Sequence, residues 1–347
     1  MKNKFETAKP TVEVVAESNK AKVNPTAITQ HRSGEDLFKN PDEKFQTYRR
    51  EWEERPLNFN PGNFPLFIDI ETTNACNYRC TFCSTTLIPK DQQGFIDEKI
   101  VYKIIDEGKE LGLYGVKFNM RGEPTLHPKL ADFVRYAVDA GLIDVYFNTN
   151  ASRLTEEKSI EIIESGLTRI TFSFEGYEKE YYEKTRVRGK FEDVVKNIRR
   201  FYELRDELKS STPKIRISGV LLPEMKQNLD TYIKFWEPYA DQVSTNDYIE
   251  ENEDNHRLKN VKSNWACNQL WQRMGVWWDG TILSCNQDYY ADLSLGNLKD
   301  ISLKEAWENK FHNDLREAHM LGQAHLYERC NKCSFRQQQL NDFMGVE

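Results

Sequence analysis

The run Cys76-Asn77-Tyr78-Arg79-Cys80-Thr81-Phe82-Cys83 puts three thiols within eight residues, directly after the apolar stretch from Phe64 to Ile70. Thiolates spaced in this way can reach one inorganic centre. A four-iron cluster held by only three of them keeps one iron open for a ligand that the protein does not supply. Four further cysteines, Cys267, Cys285, Cys330 and Cys333, bring the total to an odd seven. Where thiols stay reduced, close cysteine spacings point to metal or catalysis rather than to disulfides. Zinc is the alternative occupant, since its structural sites also close with cysteine ligands.

Other groups with chemical potential stand at the ends of apolar runs. Arg121-Gly122-Glu123-Pro124 offers a carboxylate beside a glycine that permits close backbone approach. Asn148, Asn150 and Ser173 are short polar side chains at such ends, and Arg186 adds a permanent cation. No histidine stands at a strand end, so Glu175 and Asp247 are the carboxylates in place to take a proton. Each of these residues also has a plain structural reading as a turn, a strand end or a solvated charge. His127, in Leu126-His127-Pro128, reads as a turn residue.

These side chains need a scaffold, and the chain supplies one by alternating short apolar runs with longer amphipathic stretches. Strands are expected at Leu66 to Ile70, Val116 to Met120, Asp144 to Asn148, Arg169 to Phe174, Ile215 to Leu221 and Gln242 to Asn246. Helices fall between them, near 97–111, 128–140, 155–165, 191–208 and 226–239. This is the pattern of parallel strands joined by crossover helices, two units short of an eight-fold barrel. The fold class is therefore α/β, a partial (β/α)6 TIM-like barrel. Ligands of such folds gather at the C-terminal ends of the strands, where the cysteine loop lies.

The remainder divides into three parts. Residues 1–35 read as a mobile polar arm and residues 36–63 as a helical packing extension of the core at 64–255. Residues 256–340 form a small C-terminal domain of a β-hairpin plus a helix. Asp279-Gly280 provides the hairpin turn within Val276 to Leu283, and Ser302 with Glu305 caps a helix running to His319.

At 347 residues and 39% hydrophobic composition the chain can bury a sizeable core. Its net charge of −7 argues against a nucleic-acid partner. No apolar run approaches the roughly 20 residues needed to span a bilayer, and the N-terminus lacks a signal-peptide core. A cytoplasmic protein with no membrane partner is expected.

Taken in order, the Cys-x3-Cys-x2-Cys loop, Gly122-Glu123-Pro124, Asn148-Thr149-Asn150, Ser173 and Arg186 resemble the motifs of the radical S-adenosylmethionine (radical SAM) superfamily, from about residue 64 to 335. The resemblance implies that Cys76, Cys80 and Cys83 ligate a [4Fe-4S] cluster whose open iron binds SAM. It implies that Gly122 and Glu123 meet the SAM amino group, that Asn148, Asn150, Ser173 and Arg186 meet its ribose and carboxylate, and that Phe82 and Val220 lie near its adenine. Arg121 departs from the family pattern, which has glycine there.

Cys267, Cys285 and the pair Cys330/Cys333 resemble the auxiliary-cluster domain called twitch, the shortened relative of SPASM. The resemblance implies a second [4Fe-4S] cluster, closed by four thiolates and suited to passing electrons. No thiol is then left to donate a hydrogen atom, which favours a net oxidation of a small polar molecule, sugar-like or aminocyclitol-like. A flavodoxin- or ferredoxin-type reductant is the implied partner. Three alternatives stay open. One is an epimerase using a tyrosine such as Tyr177, Tyr248, Tyr289 or Tyr290, one a peptide- or protein-modifying enzyme of the sulfatase-maturase kind, and one a zinc-stabilised binding module.

Overall fold

A computed structural model describes residues 28–30, 42–247 and 265–344. One ten-stranded sheet organises the chain. Its centre holds β2 (Phe67–Ile70), β4 (Gly115–Lys117), β5 (Asp144–Thr149), β6 (Arg169–Ser173), β8 (Lys214–Leu221) and β9 (Gln242–Asp247), parallel and in that spatial order. These are the strands expected from the apolar runs, and the sheet is open, as a partial barrel must be.

Crossover helices cover the outer face: α2 (Glu98–Leu111), α3 (Leu130–Asp139), α4 (Glu156–Glu164), α6 (Phe191–Glu207) and α7 (Leu229–Trp236). The start of α2 is fixed by Asp97, whose side chain accepts from the Lys99 amide, and its end by Gly112 at φ 85°. Its apolar residues Val101, Ile104 and Ile105 fall at helical spacing and are fully buried. They join one core with the strand residues Ile68, Val116, Val145 and Ile170.

Upstream, α1 (Glu43–Leu57) places Phe45 and Tyr48 against Leu66 and Phe67. The short strand β1 (Ile28–Gln30) lies within the segment expected to be a polar arm, and it pairs antiparallel with β9. Backbone hydrogen bonding needs no apolar side chain, so composition gives no sign of it. The expected junction near residue 255 lies outside the described residues.

The C-terminal segment continues the same sheet. β10 (Arg273–Val276) pairs parallel with β2, then β11 (Thr281–Leu283) and β12 (Ser294–Asn297) follow antiparallel. The helix expected from Ser302 to His319 is two helices, α8 (Leu303–Glu308) and α9 (Lys310–Met320). Asn309 adopts extended backbone and caps the second, its side chain accepting from the His312 amide. The chain closes with α10 (Ser334–Met344). Among the described residues no helix is long and apolar enough to cross a membrane.

Candidate functional site

The cysteine loop leaves the C-terminal end of β2 and is gripped from two sides. On one side, β3 (Arg79–Cys80) pairs antiparallel with β7 (Arg186–Val187), setting Cys80 opposite Arg186. The short helix α5 (Lys179–Thr185) delivers β7 to that position. On the other side, Gly122 packs beneath the loop at φ 75°, where an added Cβ would stand 2.2 Å from the Thr73 carbonyl oxygen. The Glu123 amide donates to the Ala75 carbonyl at 2.8 Å, completing the grip.

Burial pushes the Cys76 thiol up to about 12 and the Cys80 thiol up to about 11, and Cys76 is raised further by its neighbours Glu123, Cys80 and Cys83. Cys76 and Cys80 thus sit in surroundings of low polarity, with Cys83 near enough to Cys76 to act on it. A cationic cluster would convert them to thiolates on binding.

The Glu123 carboxylate is buried and crowded with donors. Its Oε1 accepts from the Thr125 amide at 3.1 Å and from the hydroxyls of Thr125 and Thr149 at 2.6 Å each, and its Oε2 accepts from the Asn150 amide at 2.8 Å. Burial raises its pKa, and these donors oppose the rise. Only Oε2 keeps acceptor capacity for a further ammonium. The Asn150 side chain donates to Asn77 Oδ1 at 3.0 Å and accepts from Ser152, so it ties the cysteine loop to the end of β5. Asn148 and Ser173 sit half-buried at the ends of β5 and β6.

Glu175, expected as a proton acceptor, is instead the partner of Arg186. Arg186 Nη2 donates to Glu175 Oε1 at 2.9 Å, Arg186 Nε donates to Oε2, and the Val220 amide adds a third bond at 3.1 Å. A carboxylate so engaged fixes the guanidinium rather than taking a substrate proton. Arg186 then points at Cys80 Sγ, 4.0 Å away, with its guanidinium carbon 5.8 Å from the Phe82 ring centroid. Asp247 ends β9, and its side chain lies outside the described residues, as does Tyr248.

Arg121 uses the freedom that Gly122 leaves it. It forms a two-pronged pair with the buried Glu71, at 2.7 and 2.8 Å, and stacks on Trp277 of the C-terminal hairpin. The substitution of arginine for glycine was visible in the sequence, but its partners were not. Beside it opens a cavity of about 520 Å³ between the cysteine loop and the hairpin, lined by Ser84, Leu87, Trp277, Trp278, Tyr289 and Tyr290. That volume suits a small ligand. By contrast, Trp265 and Trp271 are core residues.

The other four cysteines also converge. Cys267 precedes a helical turn at Gln269–Gln272, Cys285 follows β11, and Cys330 and Cys333 flank the end of the turn at Glu328–Asn331. All four line one cavity, with His319, Arg329 and Arg336 beside them. Burial raises each thiol, Cys267 to about 12. Backbone amides of Gln287 and Arg336 donate to the sulfurs of Cys285 and Cys333 at 3.3 and 3.4 Å. Among the described residues no three Cys, His, Asp or Glu side chains gather about a single-ion point. A four-iron cluster needs its thiolates on separate corners, so four sulfurs around a shared cavity fit it. His319, which the sequence reading marked only as a helix end, bridges this group; burial and then Arg336 lower its pKa to about 3.

Comparison with known proteins agrees with this architecture. The family model of the radical SAM superfamily matches residues 70–215, and that of the SPASM iron-sulfur cluster-binding domain matches residues 267–334. The chain belongs to the radical SAM superfamily. Within it, it is an enzyme of the kind that adds a SPASM-type cluster domain to the barrel.

A cofactor-modifying protein for tungsten-containing aldehyde ferredoxin oxidoreductase from Pyrococcus furiosus is 22% identical over 78% of this chain and 87% of its own. A GTP 3′,8-cyclase from Chlorobaculum tepidum is 30% identical over 39% of this chain, and the match spans only 40% of that relative. Among solved structures, BtrN with AdoMet and 2-DOIA superposes with a TM-score of 0.50 at 18% identity, over 78% of this chain and 92% of its own. Streptococcus suis SuiB bound to its precursor peptide SuiA reaches 0.61 at 16% identity, over 85% and 78%. At these identities the structures speak for the fold alone.

Proposed function

We propose that this enzyme oxidises a small polar substrate, sugar-like or aminocyclitol-like, by net loss of two hydrogens. The observation that carries this reading is the partition of all seven cysteines into a group of three and a group of four, which leaves no thiol over. When bound, SAM at a cluster on Cys76, Cys80 and Cys83 supplies a 5′-deoxyadenosyl radical that takes a hydrogen atom, and a cluster on Cys267, Cys285, Cys330 and Cys333 supplies the acceptor for the remaining electron.

The chain's own residues shape the rest. Arg186, locked by Glu175, offers a fixed cation beside Cys80 for the SAM carboxylate, and Glu123 Oε2 offers an acceptor for its ammonium. Phe82 and Val220 flank the place assigned to adenine, with Asn148 and Ser173 at neighbouring strand ends. The cavity walled by Trp277, Trp278, Tyr289 and Tyr290 receives the substrate, since aromatic faces stack on the C–H faces of a sugar or cyclitol ring. Asp247 takes the hydroxyl proton. A flavodoxin or ferredoxin in the cytoplasm provides the reducing electron.

The test is anaerobic reconstitution followed by incubation with reductant, SAM and a panel of amino sugars and aminocyclitols in deuterated buffer. The expected result is about eight irons per chain, 5′-deoxyadenosine, and a product lighter by two hydrogens with no deuterium on carbon. Solvent deuterium at carbon in a product of unchanged composition would replace oxidation by epimerisation.

A further inference from the structure

His319 lies near the end of α9, and its ring is 1% exposed. It contacts two cysteine segments at once. The Cys267 backbone N–H donates to Nδ1 at 3.3 Å, and Nε2 faces Cys330 Sγ at 3.4 Å. Accepting at Nδ1 requires a lone pair there, which places the proton of the neutral ring on Nε2. The bond to Cys330 is therefore N–H···S, with the sulfur accepting.

One neighbour fixes the helix that carries the ring. Arg316, one turn earlier in α9, donates to the carbonyl oxygens of Leu270 and Trp307 at 3.0 Å each, so the helix is locked to the segment that follows Cys267. The donors to Cys285 and Cys333 are backbone amides. Of these three N–H···S contacts, His319 alone comes from a side chain.

We infer that His319 is a positioning residue of the auxiliary centre: it holds the Cys267 and Cys330 segments in register and, through its N–H, raises the potential at which that centre accepts an electron. The inference rests on the reading of Cys267, Cys285, Cys330 and Cys333 as ligands of one cluster. A donor to a ligating sulfur draws off negative charge and so stabilises the reduced, more negative state. A centre that must take an electron from a substrate radical gains driving force from such a contact.

The test compares full-length reconstituted wild type with His319→Met, which removes both hydrogen bonds, and His319→Gln, whose amide can still donate to Cys330 and accept from Cys267. Midpoints are read by EPR-monitored redox titration, and added SAM marks the signal of the other cluster by shifting it. In His319→Met the SAM-insensitive signal should fall in potential by about tenfold in its reduction equilibrium, about 59 mV for one electron. The SAM-responsive signal should stay put and His319→Gln should lie near wild type. Loss of the second cluster's iron in the Met variant alone would also support the positioning role. An unchanged midpoint in His319→Met, or the same defect in both variants, would overturn the inference. Wild type holding only about four irons would instead end the two-cluster reading on which it rests.

Discussion

The guanidinium carbon of Arg121 lies 3.6 Å from the ring centroid of Trp277, and the same guanidinium is paired with the fully buried carboxylate of Glu71. One side chain thereby joins the SAM-motif loop after β4 to the hairpin that leads into Cys285. Removing it strands a buried anion. Arg121→Gly, which restores the residue type usual in the family, should lower unfolding free energy by about 3–5 kcal/mol. A Glu71→Met/Arg121→Met double variant should recover much of that loss in the same denaturant titration. A stable Arg121→Gly protein would show that the pair is dispensable.

Gly122 and Gly141 both adopt positive φ, yet their surroundings differ. An added Cβ at Gly122 meets the Thr73 and Ala75 carbonyl oxygens at 2.2 and 2.8 Å, whereas at Gly141 it meets nothing within 4 Å. Gly141→Ala should cost only the backbone strain, about 1–2 kcal/mol. Gly122→Ala should exceed that and should also displace the loop bearing Cys76, lowering iron bound after reconstitution. Equal stability and equal iron in the two variants would refute the difference.

His127 links stability to pH. Burial, with Lys129 and Lys158 adding to it, holds its pKa below the ordinary 6.5. The neutral ring is the form its contacts require, since Nδ1 accepts from the Lys129 amide at 3.2 Å while Nε2 faces the Ile96 carbonyl. The unfolded chain binds the proton more readily. The stabilisation is therefore complete above the unfolded value of about 6.5 and is lost as pH falls through the lower folded value. Relative to His127→Gln, wild type should lose stability as pH falls from above to below the unfolded value of about 6.5. A constant difference across that range would exclude His127 as the source.

Tyr290 is 61% exposed at the rim of the aromatic cavity, so its removal should leave the fold alone. Tyr290→Ala should raise KM about two- to tenfold, the factor expected from one aromatic contact of about 0.5–1.5 kcal/mol, with kcat nearly unchanged. An unaltered KM with the substrate found by the panel would move the binding site elsewhere.

Much of this was legible in the chain. β5 and β8 begin within a residue of their expected starts, because each has apolar side chains near its start that reach the core, Val145 and Phe147 in β5 and Ile215 and Ile217 in β8. The division of the cysteines into a set of three and a set of four was implied by the resemblance to the radical SAM and twitch motifs. What escaped depends on partners far apart in sequence. Glu175 looked like a base until Arg186 was found against it, and Arg121 had no visible role until Glu71 and Trp277 were placed around it. The pairing of β3 with β7 is two residues long, too short for periodicity to register. His319 gave no signal because its meaning lies in two cysteines that reach it from other segments. The break at Asn309 was readable in principle, since asparagine is a strong helix N-cap.

The parallel pairing of β10 with β2, from Arg273 opposite Phe67 to Val276 opposite Ile70, gives the C-terminal segment a further duty. All four β2 residues are buried, so the strand has no solvent-tolerant face to turn outward. A protein truncated after Asp247 would present β2 as a bare, apolar sheet edge, open to pairing with any other chain. Such a fragment should collect in inclusion bodies rather than survive as a soluble barrel. The segment that houses the auxiliary centre is thus also the guard against self-association of the barrel it completes.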